Sequence, residues 1–339
     1  MAGQELFAAI AYRPAAAQSK PQTKSGLVRL TSQNITSPLL IVTSSSLEMK
    51  KEPKNNLILC ADIGGSHVTA AIIDMDKKLV LSETRTRTVV DCLGSAQQIL
   101  GTWAAGFEEV RKKTTYPIER LAIAMPGPFD YDTGVSLITG LQKYESLYGI
   151  NVKEYLADVL HLDAENIRFR NDAEAFLQGE VTAGAGSGGT KVIGFTLGTG
   201  MGSAISINGN TRDANWGSVP FRESIADDYF STRWFLKYYT LISGLKCSNV
   251  QELAVLALTD LQAASVFGTF AKNFAGFIQV YMKEEKPEIL VLGGNIAKAH
   301  HLFLKQLKEH LIPYINPDQC LIAVLDEDAA LIGAAADFN

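Results

Sequence analysis

One pattern constrains the fold of this 339-residue chain more than any other: a strand, a glycine turn and a second strand, written twice. The first copy is "LILCADIGGSHVTAAIIDMDKK", residues 57–78. In it an apolar run carries a carboxylate, Asp62, into Gly64-Gly65, and another apolar run and a polar turn follow. The second copy is "VIGFTLGTGMGSAISINGN", residues 192–210, with Gly198-Thr199-Gly200 as its turn. Short β-branched runs bounded by turn residues read as strands. Each copy opens one half of the chain, so the repeat points to a duplicated fold. A charge at the end of a buried strand is costly unless something binds it, which makes Asp62 the first candidate functional residue.

Between the copies the spacing predicts a strand over 79–87 and a helix over 94–113. Ile99, Leu100, Trp103, Phe107 and Val110 of that helix stand at helical spacing. A strand over 119–124 runs into Pro126-Gly127-Pro128, and a hairpin with "DYDTG" (130–134) at its tip follows. A helix over 151–160 and a strand over 167–170 lead to Asn171-Asp172, ahead of a helix over 173–183. After the second copy the chain is mostly helical. Val266, Phe270, Phe274, Phe277 and Tyr281 form a stripe read as helix core, and "SNVQ" (248–251) reads as a capping-box start. A strand over 288–292 enters Gly293-Gly294. A strand over 320–325 precedes a last helix beginning at "DED" (326–328), acids suited to the positive end of a helix.

Composition narrows the function. The formal net charge is −5 and Lys and Arg form no cluster, which argues against a nucleic-acid partner. Cys60, Cys92, Cys247 and Cys320 are scattered without a Cys-x-x-Cys pair. That speaks against a zinc site and for a reducing compartment, so a cytoplasmic location is expected. No apolar run reaches the roughly 18 residues of a membrane span, and no membrane partner is expected. Residues 1–48 carry Arg13, Lys20, Lys24 and Arg29 against Glu5 and Glu48. They read as an extension upstream of a start at Met49 or as a transit peptide, with weak order expected over 1–56.

Three glycine turns follow strands, at Gly64-Gly65, Gly198 to Gly200 and Gly293-Gly294. Without a Cβ, such turns let backbone N–H groups approach phosphate oxygens. None is a P-loop, and neither of the first two opens a helix as a dinucleotide turn does. Each alone reads more readily as a tight hairpin; three together point to a nucleotide. Asp172 is a second carboxylate at a strand end, open to two readings: helix N-cap or catalytic group. Asn171 either binds a polar ligand or closes the turn. Glu174 and Glu180 are expected in solvent on the helix face, and His67, His300 and His301 as structural or surface residues.

The ordered set Asp-x-Gly-Gly-Ser (62–66), Pro-Gly-Pro (126–128), Asn-Asp-Ala (171–173), Leu-Gly-Thr-Gly-x-Gly (197–202) and Leu-Gly-Gly-Asn (292–295) resembles the ROK family of repressors and sugar kinases. That family lies within the sugar kinase/actin/Hsp70 ATPase superfamily. The resemblance implies an α/β fold of two ribonuclease H-like (actin-like ATPase) domains flanking a cleft. The expected division is 57–171 plus 326–339 for the N-terminal domain and 172–325 for the C-terminal one. It implies ATP, or polyphosphate, as phosphoryl donor with Mg²⁺, and a sugar as acceptor. Asp62 would hold the metal, directly or through water. Gly64, Gly65, Ser66, Gly198, Thr199 and Gly200 would cradle phosphates, with Gly293 and Gly294 near the adenosine. Asp172 would take the proton of the sugar hydroxyl, with Pro126, Gly127, Asn171 and Asp227 as further sugar contacts. Family members are often dimers, so a homodimer is expected.

The family's Glu-x-Gly-His motif and zinc-binding Cys cluster are missing. Their place reads "TRDANWGSVPFRESIADDYFSTRW" (211–234), with Gly217 and Pro220 near where Glu and His would stand. The leading expectation is a glucokinase-like ATP-dependent carbohydrate kinase acting on a hexose or amino sugar. The alternatives are a sugar-binding regulator or catalytically weak paralogue without a DNA-binding segment and, with least support, an ATPase working on protein partners.

Overall fold

The computed structural model describes residues 56–338; the expectations for residues 1–48 and for a start at Met49 lie outside them. Five strands form the first sheet: β1 (Leu57–Ile63), β2 (His67–Asp74), β3 (Leu79–Val89), β4 (Leu121–Met125) and β7 (Ile167–Asn171), in the order β3-β2-β1-β4-β7. The β1–β2 and β2–β3 pairs are antiparallel, whereas β4 pairs parallel with β1 and with β7. Helix α1 (Ala96–Arg111) starts from a Ser95–Gln98 capping box. A small hairpin, β5 (Phe129–Asp130) and β6 (Val135–Ser136), and helix α2 (Val152–Leu160) complete this half.

Helix α3 (Asp172–Ala183) leads into a second sheet built on the same plan. Its strands are β8 (Lys191–Leu197), β9 (Met201–Ile207), β10 (Asn210–Asp213), β13 (Ile289–Gly293) and β14 (Cys320–Ile322), in the order β10-β9-β8-β13-β14. Again two antiparallel pairs are followed by two parallel ones. The duplicated unit of the sequence is therefore β1–β2 in one sheet and β8–β9 in the other. A two-stranded piece, β11 (Pro220–Phe221) with β12 (Ser224–Ile225), precedes α4 (Thr232–Ser243), α5 (Val250–Leu256) and the long α6 (Leu261–Glu285). Helices α7 (Leu304–Leu311) and α8 (Asp328–Ala335) close the chain. The α5 cap is Asn249, whose side chain accepts from the Glu252 N–H, and not the Ser248 that the sequence pattern favours.

The layers follow from which side chains are apolar. One face of the first sheet buries Leu59, Ile72 and Ile123 against Trp103 and Phe107 of α1. The other face buries Ile58, Cys60 and Ala122 against Leu331 and Ile332 of α8 and Ala175 of α3. The second sheet packs Val192 and Val291 against Phe176 and Leu177 of α3 and Ala329 of α8. Its far face meets the Phe267–Phe270–Phe274 stripe of α6. Helices α3 and α8 are thus a middle layer between the sheets. Their approach is close: a Cβ on Gly179 would stand 1.9 Å from the Ala329 carbonyl oxygen, and one on Gly333 1.7 Å from that of Ala175. Only glycine fits at either point.

Candidate active site

The parallel pairing of β1, β4 and β7 gathers three of the expected site elements at one edge. Asp62 stands opposite Ala124, Ala124 opposite Arg170, and Met125 opposite Asn171. Asp62, the Pro126-Gly127 stop and Asp172 therefore lie together at the C-terminal ends of neighbouring strands, where α/β sheets bind ligands. The turn after β1 is closed by the Gly64 N–H donating to the His67 carbonyl at 2.9 Å. Tyr144, buried beside Trp103, donates its hydroxyl to the Gly64 carbonyl at 2.5 Å. Gly65 and Ser66 are exposed, and a Cβ on Gly65 would meet nothing within 4 Å. Among the described residues the N–H groups of Gly65 and Ser66 have no protein partner, which leaves them to a ligand.

Asn171, not Asp172, caps α3. Its side-chain oxygen accepts the N–H groups of Ala173 and Glu174 at 2.9 and 3.1 Å, and its amide donates to the Tyr131 hydroxyl at 3.2 Å. Asp172 is the first residue of the helix and accepts the Ala173 N–H at 2.8 Å. Its surface is open to solvent while protein crowds it on most sides. That crowding raises its pKa; the Ala173 N–H and the Lys143 ammonium pull it down, and Asp213 pushes it up. Asp62 is half-buried, and desolvation, then the charges of Asp172 and Glu327, raise its pKa to about 7 against the opposing pull of Arg87. Two carboxylates thus share a region short of positive charge.

The second and third glycine turns meet at the C-terminal ends of β8 and β13. The Gly198 N–H donates to the Gly200 carbonyl at 2.9 Å, and among the described residues the N–H groups of Thr199 and Gly200 have no protein partner. Gly294, at φ +84°, lies so close to Leu197 that a Cβ would stand 2.4 Å from its carbonyl oxygen. The Ile296 N–H donates to that same oxygen at 2.9 Å. Asp227 lies under the second turn: one oxygen accepts the Met201 N–H and the other stands 2.6 Å from the Arg233 guanidinium. Both oxygens already have partners, so the structure ties Asp227 to the turn.

A family model described as "ROK family" matches residues 58–220, the span that holds the Asp62 turn, the Asp172 strand end and the second glycine turn. Over that span the chain is similar to the ROK family. The glucokinase of Thermotoga maritima is 23% identical over 323 residues, covering 84% of this chain and 97% of that one. The N-acetylgalactosamine kinase AgaK of a Shewanella species is 24% identical over 303 residues, covering 81% and 94%. A ROK family glucokinase from Streptomyces griseus, solved in complex with glucose and AMPPNP, superposes with a TM-score of 0.67 at 20% identity, over 83% of this chain and 98% of that one. The fold is accordingly the α/β one of two ribonuclease H-like domains.

Against the ROK pattern, the segment after β10 stands out. Where the family's Glu would fall, a Cβ on Gly217 would be 2.3 Å from the Met201 carbonyl oxygen, so a side chain has no room there. Trp216 is buried beside it, its backbone N–H donating to Ser203 Oγ at 2.9 Å and its ring stacked on Tyr281 at 4.0 Å. Pro220 is exposed in β11.

The sequence reading missed Lys143 and misplaced Glu180 and Glu174. Lys143 lies between Gln142 and Tyr144, both at positive φ, in a loop whose Tyr144 N–H donates to the Cys92 carbonyl. Glu180 is not in solvent but fully buried, its carboxylate accepting the N–H groups of Ala185, Val324 and Leu325. Glu174 is half-buried and paired with Arg170 at 3.4 Å. Acidic residues on a short helix give no local sign that a distant backbone will claim them. Of the histidines, His67 pairs with Ser66 at 2.8 Å and His300 with the Ala297 carbonyl, the structural roles expected for them.

Proposed function

We propose that this chain is an ATP-dependent carbohydrate kinase that transfers the γ-phosphoryl group to a hydroxyl of a hexose or amino sugar. The observation that carries the reading is the placing of Asp62 and Asp172 at the ends of β1 and β7, on either side of β4, beside turns whose N–H groups lack protein partners among the described residues. Phosphoryl transfer needs positioning, charge neutralisation and one base near the attacking oxygen. Asp172 is the base that takes the acceptor's proton, and its crowded setting favours the protonated product state. Pro126, Gly127 and Asn171 form the acceptor side. The N–H groups of Gly65, Ser66, Thr199 and Gly200 bind donor phosphates, Gly64 and Gly198 shape their turns, and Gly293 and Gly294 lie toward the adenosine.

Mg²⁺ takes one or two carboxylates plus phosphate oxygens and waters. Asp62, raised to about 7 by burial and two like charges, is a carboxylate that a cation would relieve, so the residues fit the ion. When bound, Mg²⁺ would neutralise charge on the transferring phosphoryl group. We divide the catalytic unit at Asn171/Asp172, with residues 326–339 returning to the first domain. We place the enzyme, as a homodimer, in the cytoplasm.

The test is a screen of hexoses and hexosamines with ATP and with polyphosphate, comparing wild type with Asp172→Asn. Sugar-dependent donor consumption in wild type, reduced by roughly 10²–10⁴-fold in the variant, is expected. Equal consumption by both proteins would sink the reading. The crowded Gly217 favours a second reading, a sugar sensor without efficient turnover. Calorimetry showing sugar binding with no donor consumption would establish it.

A further inference from the structure

The second glycine turn has a negative charge built against it. Asp227 accepts the Met201 N–H through one oxygen, and that oxygen lies 2.7 Å from where a Cβ on Gly200 would be. A turn whose free N–H groups suit phosphate oxygens is therefore lined by a carboxylate, which alone would repel a polyanion. Arg233 is the counterweight. One guanidinium nitrogen stands 2.6 Å from the free Asp227 oxygen and 3.5 Å from Asp228, while the other donates to the Thr199 carbonyl at 3.3 Å. The preceding residue, Thr232, donates its N–H and its hydroxyl to the Gly198 carbonyl at 2.7 and 3.0 Å. The cation is thus fixed to the turn on two sides although its side chain is 58% exposed. Exposed ion pairs contribute little to folding, so stability does not account for this arrangement.

We infer that Arg233 is a donor-site positioning residue: by neutralising Asp227 under Gly198 to Gly200, it lets that turn accept a phosphoryl donor carrying several negative charges. The inference rests on the kinase reading of the same site. It also gives the segment "ADDYFSTR" (226–233) a task where the family's cysteine cluster is missing.

The experiment is calorimetric titration of a non-hydrolysable ATP analogue with Mg²⁺ into the full chain, without sugar. Arg233→Met should weaken binding at least about tenfold and Arg233→Lys much less, with the gap narrowing at high salt. The decisive protein is Arg233→Met combined with Asp227→Asn. Charge compensation predicts that it recovers much of the lost affinity, because the carboxylate left unpaired by the single change is gone. A purely structural brace predicts the opposite, since both contacts to the turn are then weakened. Unchanged binding in Arg233→Met, or a double variant no better than the single one, overturns the inference. If wild type binds neither the analogue nor polyphosphate, the turn is not a donor site and the inference falls with it. If the binding pattern holds but no sugar is phosphorylated, the donor-site role of Arg233 stands and the kinase reading alone is lost.

Discussion

In β1 a carboxylate stands one residue before the end of the strand, at Asp62; in β8 the same place is held by Thr196. Both strands run into three-residue turns closed by the N–H of the first glycine, at 2.9 Å in each. The backbone plan is shared and the charge plan is not. The first turn keeps its negative charge in the strand, where Asp172 and Glu327 aggravate it and Arg87 answers weakly. The second takes a carboxylate from outside, Asp227, and balances it with a bonded arginine. A duplicated scaffold has thus been divided: one turn is left short of a cation, the other is electrically complete before any ligand arrives.

The sharpest way to break this contrast is to change the equivalent residues in parallel. Asp62→Asn should reduce phosphoryl transfer by roughly 10²–10³-fold, the scale of losing one preorganised electrostatic group at a reacting centre. Thr196→Val should alter it only a few-fold. Steady-state rates decide the matter, and equal losses would mean that both turns share the work.

The contrast also has a signature in stability. An unfolded Asp titrates near 3.9, whereas folded Asp62 titrates at about 7, raised first by burial and then by Asp172 and Glu327. Between those values the native state holds a proton that the unfolded chain has lost. Metal-free stability contributed by this site therefore falls as pH rises from about 4 to about 7, by about 2–4 kcal/mol at most. Asp62→Asn should remove that loss, making the variant more stable than wild type at about pH 8 and similar to it at about pH 4. Denaturant midpoints at the two pH values measure the difference; no crossover would show that Asp62 carries no such strain.

A smaller effect separates the turns sterically. Gly200→Ala places its methyl 2.7 Å from the Asp227 carboxylate and should cost about 1–3 kcal/mol. Gly65→Ala meets nothing within 4 Å and should cost about 0.5 kcal/mol or less in stability. Equal shifts in chemical denaturation would argue against the close approach of Asp227.

The local half of this design was legible in the sequence. Alternation, glycine turns and the Phe270–Phe274 stripe are short-range patterns, and they located β1, β2, β8, β9 and α6. Asp62 and Asp172 could be singled out because a charge ending an apolar run is conspicuous. The rest depends on partners far away along the chain. Tyr144 reaches Gly64 across 80 residues, and Glu180 meets Val324 across 144. Arg233 makes sense only once Asp227 is seen under the turn. Even the α3 cap, for which the sequence offered Asp172, was given to Asn171 only by the geometry.

The middle layer carries one further consequence. Ala175, from the helix that begins the second half, completes the core under the first sheet, and Ala329, from the helix that returns to the first, completes the core under the second. Neither half possesses all of its own interior. The two sheets therefore share one interior through α3 and α8, and a cavity cut at Ala175 or Ala329 would be felt on both sides of the middle layer.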